Sequence, residues 1–312
     1  MKILLAQPRG FCAGVDRAIT IVDKALKLYG KPVYVRHEIV HNKYVVDSLR
    51  NKGAIFVKEI DEIPDGAITI FSAHGVSEKV EQNAKDRNLP FIDATCPLVK
   101  KVHISAIKQD KKGNEVILIG HEGHPEVEGT SGRVQNGVIL VSSEEEVESI
   151  NVKDENKLTY VTQTTLSVND TKNIISALKK RFPHIEGPEL KDICYATQNR
   201  QDAISDIVDH IDILLVVGAQ NSSNSNRLRD LGEEENTKSF LINDASHIDN
   251  SWFDDVESIG ITAGASAPEI LVEEVIEYLK SNFDIEKVIN FDGKEENVKF
   301  KLPKEVLKKV NY

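Results

Sequence analysis

The sequence predicts an α/β protein made of three small α/β lobes, with mainly parallel sheets in a pseudo-threefold, or trefoil, arrangement around a shared centre. Short apolar runs that end in Gly, His, Asn or Ser alternate with amphipathic stretches, which is typical of parallel strands covered by helices. This pattern occurs three times, and each copy contains one of the three cysteines. Self-similarity at a long interval indicates repeated structural units.

The cysteines lie at equivalent positions of the repeat. Cys96 follows the apolar run LPFIDAT and precedes Pro97, and proline is well tolerated in the first turn of a helix. Cys12 and Cys194 have similar surroundings, and the intervals between successive cysteines are 84 and 98 residues. Each cysteine is therefore predicted to begin a helix, whose positive end favours the thiolate form.

Two further strand ends in each copy carry polar side chains. The first set comprises His41, then His124 with Glu126, then Ser222, Ser223 and Asn224. The second set comprises His74, then Thr164 with Thr165, then Ser266. Ligands collect at the carboxyl ends of parallel strands, so we expect one cleft whose hydroxyls, imidazoles and helix amides suit a phosphate group. Taken singly, each Ser, Thr or Asn is also explained as a helix N-cap.

The repeat predicts the domain organisation. The first lobe is expected at residues 14–96, the second at 97–193 and the third at 194–281. The third copy lacks a closing strand, and we expect the N-terminal strand within residues 1–13 to complete it. Residues 282–312, which are rich in Lys and Glu, fall outside the pattern and are interpreted as a C-terminal extension.

Composition narrows the function classes. The formal net charge of −11 and a pI near 5.4 argue against a nucleic-acid-binding surface. The apolar run at residues 2–7 is too short for a signal peptide, and no later run approaches a membrane span. Three cysteines in 312 residues do not resemble a secreted disulfide framework. We therefore expect a cytoplasmic protein with neither membrane nor nucleic acid as a partner.

Three converging thiolates without a fourth suit two kinds of metal centre. They could hold zinc together with a histidine, or a [4Fe-4S] cluster in which one iron has no cysteine ligand. The spacing does not decide between them, although zinc sites usually contain a closer cysteine pair. We favour the cluster, with Glu126 as a general acid whose pKa a neighbouring anion raises. The alternatives are a zinc-dependent hydrolase of a phosphorylated substrate and a non-enzymatic iron-sulfur redox sensor.

The ordered motifs resemble one enzyme family over residues 1 to about 280. They are PRGFCAGVDRA, HEIVHN, SAHGVS, DATCPLV, GHEGHPEVEGT, TQTTLS, DICYATQNRQ, NSSNSNRL and GASAP. Together they resemble the 4-hydroxy-3-methylbut-2-enyl diphosphate reductases, which catalyse the last step of the non-mevalonate isoprenoid pathway.

The resemblance implies a function and a set of site residues. Reductive dehydroxylation of the allylic diphosphate would give isopentenyl and dimethylallyl diphosphate, with electrons from ferredoxin or flavodoxin. Cys12, Cys96 and Cys194 would hold a [4Fe-4S] cluster with one open iron for the substrate oxygen. Glu126 would donate the proton, and Thr164 would help to hold and protonate the substrate. The diphosphate would be bound by His41, His74, His124, Ser222, Ser223, Asn224 and Ser266. These residues lie at the strand ends that the repeat identifies, and Thr165 lies at another of those strand ends.

Overall fold

The computed structural model describes residues 1–307, which contain twelve strands and ten α-helices. The strands are β1 Lys2–Leu5, β2 Val33–Arg36, β3 Ala54–Val57, β4 Thr69–Phe71, β5 Phe91–Asp93, β6 Glu115–Ile119, β7 Val138–Val141, β8 Leu158–Thr162, β9 Ile213–Val217, β10 Lys238–Ile242, β11 Ser258–Ala263 and β12 Lys287–Asn290. The helices are α1 Ala13–Tyr29, α2 Lys43–Lys52, α3 Glu78–Asp86, α4 Pro97–Lys111, α5 Pro125–Ser131, α6 Glu144–Ser149, α7 Val168–Arg181, α8 Tyr195–Ile207, α9 Ser223–Glu234 and α10 Glu269–Asn282.

The strands form three separate sheets in which every pairing is parallel. Their orders are β10-β9-β11-β1-β12, β3-β2-β4-β5 and β7-β6-β8. Parallel strands need crossover connections, and the helices supply them. The predicted α/β class with three parallel sheets is confirmed.

The chain divides into two compact units. The first consists of Met1–Val15, His41–Asp47 and Tyr195–Lys299 and contains the five-stranded sheet. The second consists of Asp16–Val40, Ser48–Cys194 and the residues from Phe300, and it contains the other two sheets. The division into lobes at residues 14–96, 97–193 and 194–281 stays a prediction.

In the first unit, β1 lies between β11 and β12. Leu4 is opposite Gly260 on one side and Ile289 on the other. The N-terminal strand therefore joins the sheet of the third copy, as its missing strand suggested. Strand β12 belongs to the proposed C-terminal extension and was not predicted, because its exposed, short KVIN run carries no buried apolar pattern. Residues 308–312 of that extension lie outside the described residues.

The central strands β9 and β11 of the five-stranded sheet are buried on both faces. Alternate side chains of β9 point to opposite sides, so Leu215 packs with Val275 of α10 and Leu214 packs in the cluster that contains Ile204 of α8. This explains why β9 reads as a continuous apolar run, ILLVV, rather than as an alternating one.

The second unit has the same arrangement around β6 and β8. Ile117 and Tyr160 belong to a cluster with Leu178 of α7, whereas Leu118 belongs to a cluster with Val102 of α4. Helices α4 and α7 thus contribute to separate apolar clusters of one sheet. Within residues 1–307, no helix is both long enough and apolar enough to span a bilayer.

We predict that Gly293→Ala destabilises the first unit. A Cβ at this position would lie 2.0 Å from the Gln7 carbonyl oxygen, a backbone atom that cannot rotate away. Such overpacking should lower the free energy of unfolding by about 1–3 kcal/mol in denaturant titrations. Asp292→Ala, at an exposed neighbour, is the control. Equal stability of both variants would show that the Gln7 backbone moves at no cost.

Candidate active site

All three cysteines directly precede helices, as predicted. Cys96 is the N-cap residue of α4 with Pro97 in the first turn, α1 begins at Ala13, and α8 begins at Tyr195. None of the three forms a disulfide, and each is partly exposed. The thiols therefore lie at the N-terminal ends of three helices.

The backbone N–H of every cysteine bonds to a neighbouring strand end. In the first unit, Cys12 N–H donates to Ala265 O at 3.2 Å. In the second unit, Cys96 N–H donates to Ala73 O at 2.9 Å, and Cys194 N–H donates to Thr164 O at 3.0 Å. Each acceptor either is, or directly precedes, a predicted ligand-binding residue, namely Ser266, His74 or Thr164. The repeat thus holds each cysteine next to the polar strand end of its own sheet.

A buried arginine supports the segment before Cys12. Arg200 is fully buried, and its guanidinium donates to Gly10 O at 2.7 and 3.1 Å and to Ala196 O at 2.8 Å. Glu296 of the C-terminal segment accepts from both terminal nitrogens at 3.0 and 3.2 Å. A bidentate carboxylate balances the buried charge and holds the guanidinium in one orientation. The extension therefore contributes to the conformation of the Cys12 segment.

A second arginine supports the segment before Cys96. Arg17 donates to Ala94 O at 3.2 Å and to Thr95 O at 3.1 Å, and also to Lys301 O at 2.8 Å. The Asp93 carboxylate accepts hydrogen bonds from Thr95 and from Lys100. Burial opposes the ionisation of Asp93, but these bonds outweigh it and lower the pKa of the carboxyl.

Glu126 and Thr164 form a buried pair in the second unit. Glu126 is only 2% exposed, and its carboxyl accepts from Thr164 N–H at 2.6 Å and from the Thr164 hydroxyl at 3.0 Å. Burial, with a smaller contribution from the negative charge of Asp192, raises the pKa of Glu126 to about 7 although the two bonds from Thr164 act to lower it. Near neutral pH this carboxyl is thus present in both protonation states, as a general acid requires.

The three predicted histidines each present Nδ1 to a local partner. His124 caps α5, and its Nδ1 accepts from Glu126 N–H at 3.2 Å. Asn221 Nδ2 lies 3.3 Å from His41 Nδ1, and Ser72 Oγ lies 3.3 Å from His74 Nδ1. A neutral imidazole whose Nδ1 accepts carries its proton on Nε2. For His124 and His41, whose partners are N–H groups, this arrangement favours Nε2–H groups as donors toward an anion. The rings of His74 and His124 are 6.0 Å apart.

Gly75 allows His74 to sit at its strand end. Its φ is +83°, and a Cβ would lie 2.6 Å from the His103 ring. Glycine is the residue that tolerates both constraints.

The remaining predicted binding residues of the first unit surround α9. The Ser266 hydroxyl donates to His41 O at 2.9 Å, and Asn224 Oδ1 accepts from Ala265 N–H at 2.9 Å. The other side-chain atom of Asn224, Nδ2, is buried without a hydrogen-bond partner among residues 1–307. A buried donor without a partner is costly unless a ligand accepts from it.

Three predicted residues have structural roles that explain them in part. Ser222 is the N-cap of α9 and accepts from Ser225 N–H, and Ser223 is the first residue of that helix. Thr165 accepts from Gln163 Nε2 at 2.8 Å. An N-cap serine still places the helix N-terminal amides around it, so capping and ligand binding are compatible.

Sequence reasoning missed several residues that hold the predicted ones in place. They are Ser72, Asn221, Gln163, Arg17, Arg200 and Glu296. All of them except Glu296 lie within the quoted motifs, so their positions close to the predicted residues could have drawn attention to them. Within residues 1–307, no group of three or more His, Cys, Asp and Glu side chains is arranged to hold a single metal ion.

We predict that Glu126 makes stability depend on pH between about 4.5 and 7. Its ordinary pKa is 4.5 and its folded pKa is about 7, so over this interval the folded protein retains a proton that the unfolded chain releases. Raising the pH should therefore lower the free energy of unfolding, by about 3 kcal/mol in total. Unfolding titrations at pH 5, 6, 7 and 8 should show that Glu126→Gln lacks this contribution and that Glu128→Gln retains it. Identical slopes in both variants would contradict the raised pKa.

We predict that Glu296→Ala destabilises the Cys12 segment. Removal of the carboxylate leaves the buried Arg200 charge without its counter-charge, which should cost about 2 kcal/mol or more. Peptide mass spectrometry should show that the variant's Cys12 is alkylated faster than in the wild type, whereas the alkylation rate of Cys194 changes less. The control is Glu295→Ala at the exposed neighbouring position, which should change neither the stability nor the rate of Cys12 alkylation. Unchanged Cys12 labelling in Glu296→Ala would show that Arg200 does not depend on its carboxylate.

Comparisons with known proteins give the family. The family model described as LytB protein matches residues 3–280. The 4-hydroxy-3-methylbut-2-enyl diphosphate reductases of Pseudoalteromonas translucida and Salmonella typhi are each 57% identical over 309 residues, covering 98% of this chain and 100% and 98% of those proteins.

Two solved structures are also similar. The E-1-hydroxy-2-methyl-but-2-enyl-4-diphosphate reductase from Plasmodium falciparum aligns with a TM-score of 0.95 at 42% identity, covering 98% of this chain and 96% of that one. A (E)-4-hydroxy-3-methyl-but-2-enyl diphosphate reductase, described as the terminal enzyme of the non-mevalonate pathway, aligns with a TM-score of 0.64 at 31% identity, covering 90% and 100%. The chain therefore belongs to the LytB family, whose matching members are 4-hydroxy-3-methylbut-2-enyl diphosphate reductases.

Proposed function

We propose that this protein reduces (E)-4-hydroxy-3-methylbut-2-enyl diphosphate to isopentenyl diphosphate and dimethylallyl diphosphate, the last step of the non-mevalonate pathway. The reaction consumes two electrons and two protons and releases one water molecule. The observation that carries the proposal is the buried Glu126, whose pKa is about 7 and whose partner Thr164 accepts from Cys194 N–H. A proton donor is thus linked directly to a predicted cofactor ligand.

The resident cofactor in this proposal is a [4Fe-4S] cluster held by Cys12, Cys96 and Cys194. Three thiols at helix N-termini, none of them in a disulfide, fit such a group, because the helix dipoles favour thiolates. When bound, the cluster supplies single electrons and one coordination position without a protein thiolate. Arg200 and Arg17 hold the segments before Cys12 and Cys96, so these two ligands are preorganised.

The diphosphate is proposed to bind His41, His74, His124, Thr165, Ser222, Ser223, Asn224 and Ser266. The histidines contribute Nε2–H groups, since their Nδ1 atoms lie within hydrogen-bonding distance of local partners. Asn224 contributes Nδ2, which would gain an acceptor from the ligand. The amides at the start of α9 also favour an anion. Neutral donors in this number can satisfy phosphate oxygens without lysine.

Glu126 and Thr164 are proposed to deliver protons. The protonated carboxyl can donate to the Thr164 hydroxyl, which is 3.0 Å away, and the hydroxyl can donate in turn to the substrate. One proton leaves with the departing hydroxyl as water, and the other reaches an allylic carbon, at either of two positions. Burial of the pair keeps bulk water away from the proton that is transferred.

The electrons are proposed to come from ferredoxin or flavodoxin, and the reaction is placed in the cytoplasm. A reducing compartment keeps the three thiols available for a metal centre.

We predict that Glu126→Gln abolishes turnover while leaving the cofactor in place. Anaerobically purified protein should contain iron and acid-labile sulfide in both forms, because Glu126 is not a proposed ligand. With dithionite as reductant, the variant should lose at least about a hundredfold in kcat, since a glutamine amide is not a general acid. Glu128→Gln, on the exposed side of α5, should retain activity.

Other outcomes would overturn the proposal. Stoichiometric zinc without sulfide would favour a hydrolase of a phosphorylated substrate. Iron and sulfide without any turnover of the allylic diphosphate would favour a redox sensor. Full activity of Glu126→Gln would assign proton delivery to another group.

A further inference from the structure

We propose that the solvent-facing side of α4 is the docking surface for the acidic one-electron carrier protein that reduces this enzyme. The inference rests on the proposed function, which requires a carrier, and adds where the carrier binds. We call this surface the α4 lysine face.

The α4 lysine face is composed almost entirely of cations. The buried residues of α4 are Val99, Val102, His103, Ala106 and Asp110. At 3.6 residues per turn, the opposite side carries the exposed residues Lys100, Lys101, Ile104, Lys108 and Lys111, and Lys112 follows as the C-cap. The only carboxylate of the helix, Asp110, is buried on the core side.

This face contrasts with the chain as a whole, whose net charge is −11. Among the helices that begin at a cysteine, α8 exposes Asp202 and Asp206. Helix α1 mixes acidic and basic residues, with Asp16 in its first turn and Lys27 in its last. Helix α4 therefore combines the start at a cysteine with a positive face, which an overall acidic protein needs in order to attract an acidic partner.

Two of the lysines have partners and three do not. Lys100 bonds to Asp93 at 2.8 Å, and Lys101 lies 3.5 Å from Asp192. Within residues 1–307, no ion pair involves Lys108, Lys111 or Lys112, so their charges are available to a partner. A cluster of cations that face solvent without carboxylate partners is a usual feature of an electrostatic docking surface.

The face also has an apolar element. Ile104 is 60% exposed, which is the largest exposed fraction among the bulky apolar side chains of residues 1–307. It lines a cavity of about 360 Å³ together with Ile107 and Phe91. The carboxylates of that cavity already have cationic partners, since Glu81 pairs with Arg133 at 2.7 Å and Asp93 pairs with Lys100. An apolar centre within a charged rim is the general anatomy of a protein interface.

The position of the face suits electron delivery to the site. Helix α4 begins directly after Cys96, so Lys100 and Ile104 lie about 6 and 12 Å from it along the helix axis at 1.5 Å per residue. A carrier seated on this face gives up one electron, and the protein takes it up through the centre that Cys96 is proposed to hold. Two successive encounters supply the two electrons that one turnover consumes. Small, salt-sensitive interfaces are typical of such short-lived redox encounters.

The test compares two reductants in the double variant Lys108→Glu/Lys111→Glu. With reduced flavodoxin or ferredoxin at low ionic strength, kcat/KM for the carrier should fall by about tenfold or more, because charge reversal removes steering toward the site. Its dependence on salt concentration should also weaken. With dithionite, activity should be unchanged, since these lysines contact neither the substrate residues nor the cysteines.

The matched control is Lys172→Glu/Lys180→Glu on α7, which makes the same change of net charge at exposed helical positions. It should leave carrier-dependent activity close to wild type. The neutral variant Lys108→Gln/Lys111→Gln should show an intermediate loss if charge reversal proves too disruptive for folding.

Three results would overturn the docking proposal. Equal losses with dithionite and with the carrier would show a structural effect, and equal losses in the α7 control would show a response to net charge alone. Unchanged carrier kinetics would place docking elsewhere. In each case, turnover of the allylic diphosphate with dithionite by the wild-type protein would leave the proposed function standing.

Discussion

The candidate site depends on one recurring backbone hydrogen bond. The N–H of each cysteine donates to the strand end that carries a predicted binding residue, so Cys12 is tied beside Ser266, Cys96 beside His74 and Cys194 to Thr164. This bond joins the backbone at the start of each of these helices to a strand end that carries a predicted binding residue. Because it uses only main-chain atoms, the same device serves three copies whose side chains differ.

Two buried ionisable groups near the cysteines, Arg200 and Glu126, differ in how their charge is compensated, and the difference follows from their partners. Arg200 receives a bidentate carboxylate from Glu296, so it is suited to a permanent charge that holds the Cys12 segment. Glu126 receives only neutral donors from Thr164, and Asp192 adds further negative charge nearby. Glu296 therefore balances the buried charge of Arg200, whereas burial raises the pKa of Glu126 to about 7, where this carboxyl can exchange a proton.

Charge is also distributed unevenly over the surface. An acidic chain repels acidic partners in general, and a local positive face lets one part of the molecule overcome that repulsion. Helix α4 satisfies two requirements with one segment, because its inner side packs on the sheet through Val102 and Ala106 while its outer side carries the lysines. The spacing of apolar and basic residues along a single helix thus separates the packing side from the side proposed to bind a partner.

The sequence by itself determined the α/β class and the helix start at each cysteine, and it supplied the ligand residues, which stay a prediction. Those features are local or periodic, because a proline after Cys96 and alternating apolar runs act over a few residues. The tertiary structure decided which groups, distant in sequence, contact the cysteine segments and the predicted site residues. The pairing of Glu296 with Arg200 joins residues 96 positions apart, and that of Glu126 with Thr164 joins residues 38 apart. Strand β12 likewise pairs with β1, which lies more than 280 residues earlier in the chain. No short-range pattern encodes these contacts, since they arise when separate strands and helices pack and bury polar groups that must then find partners.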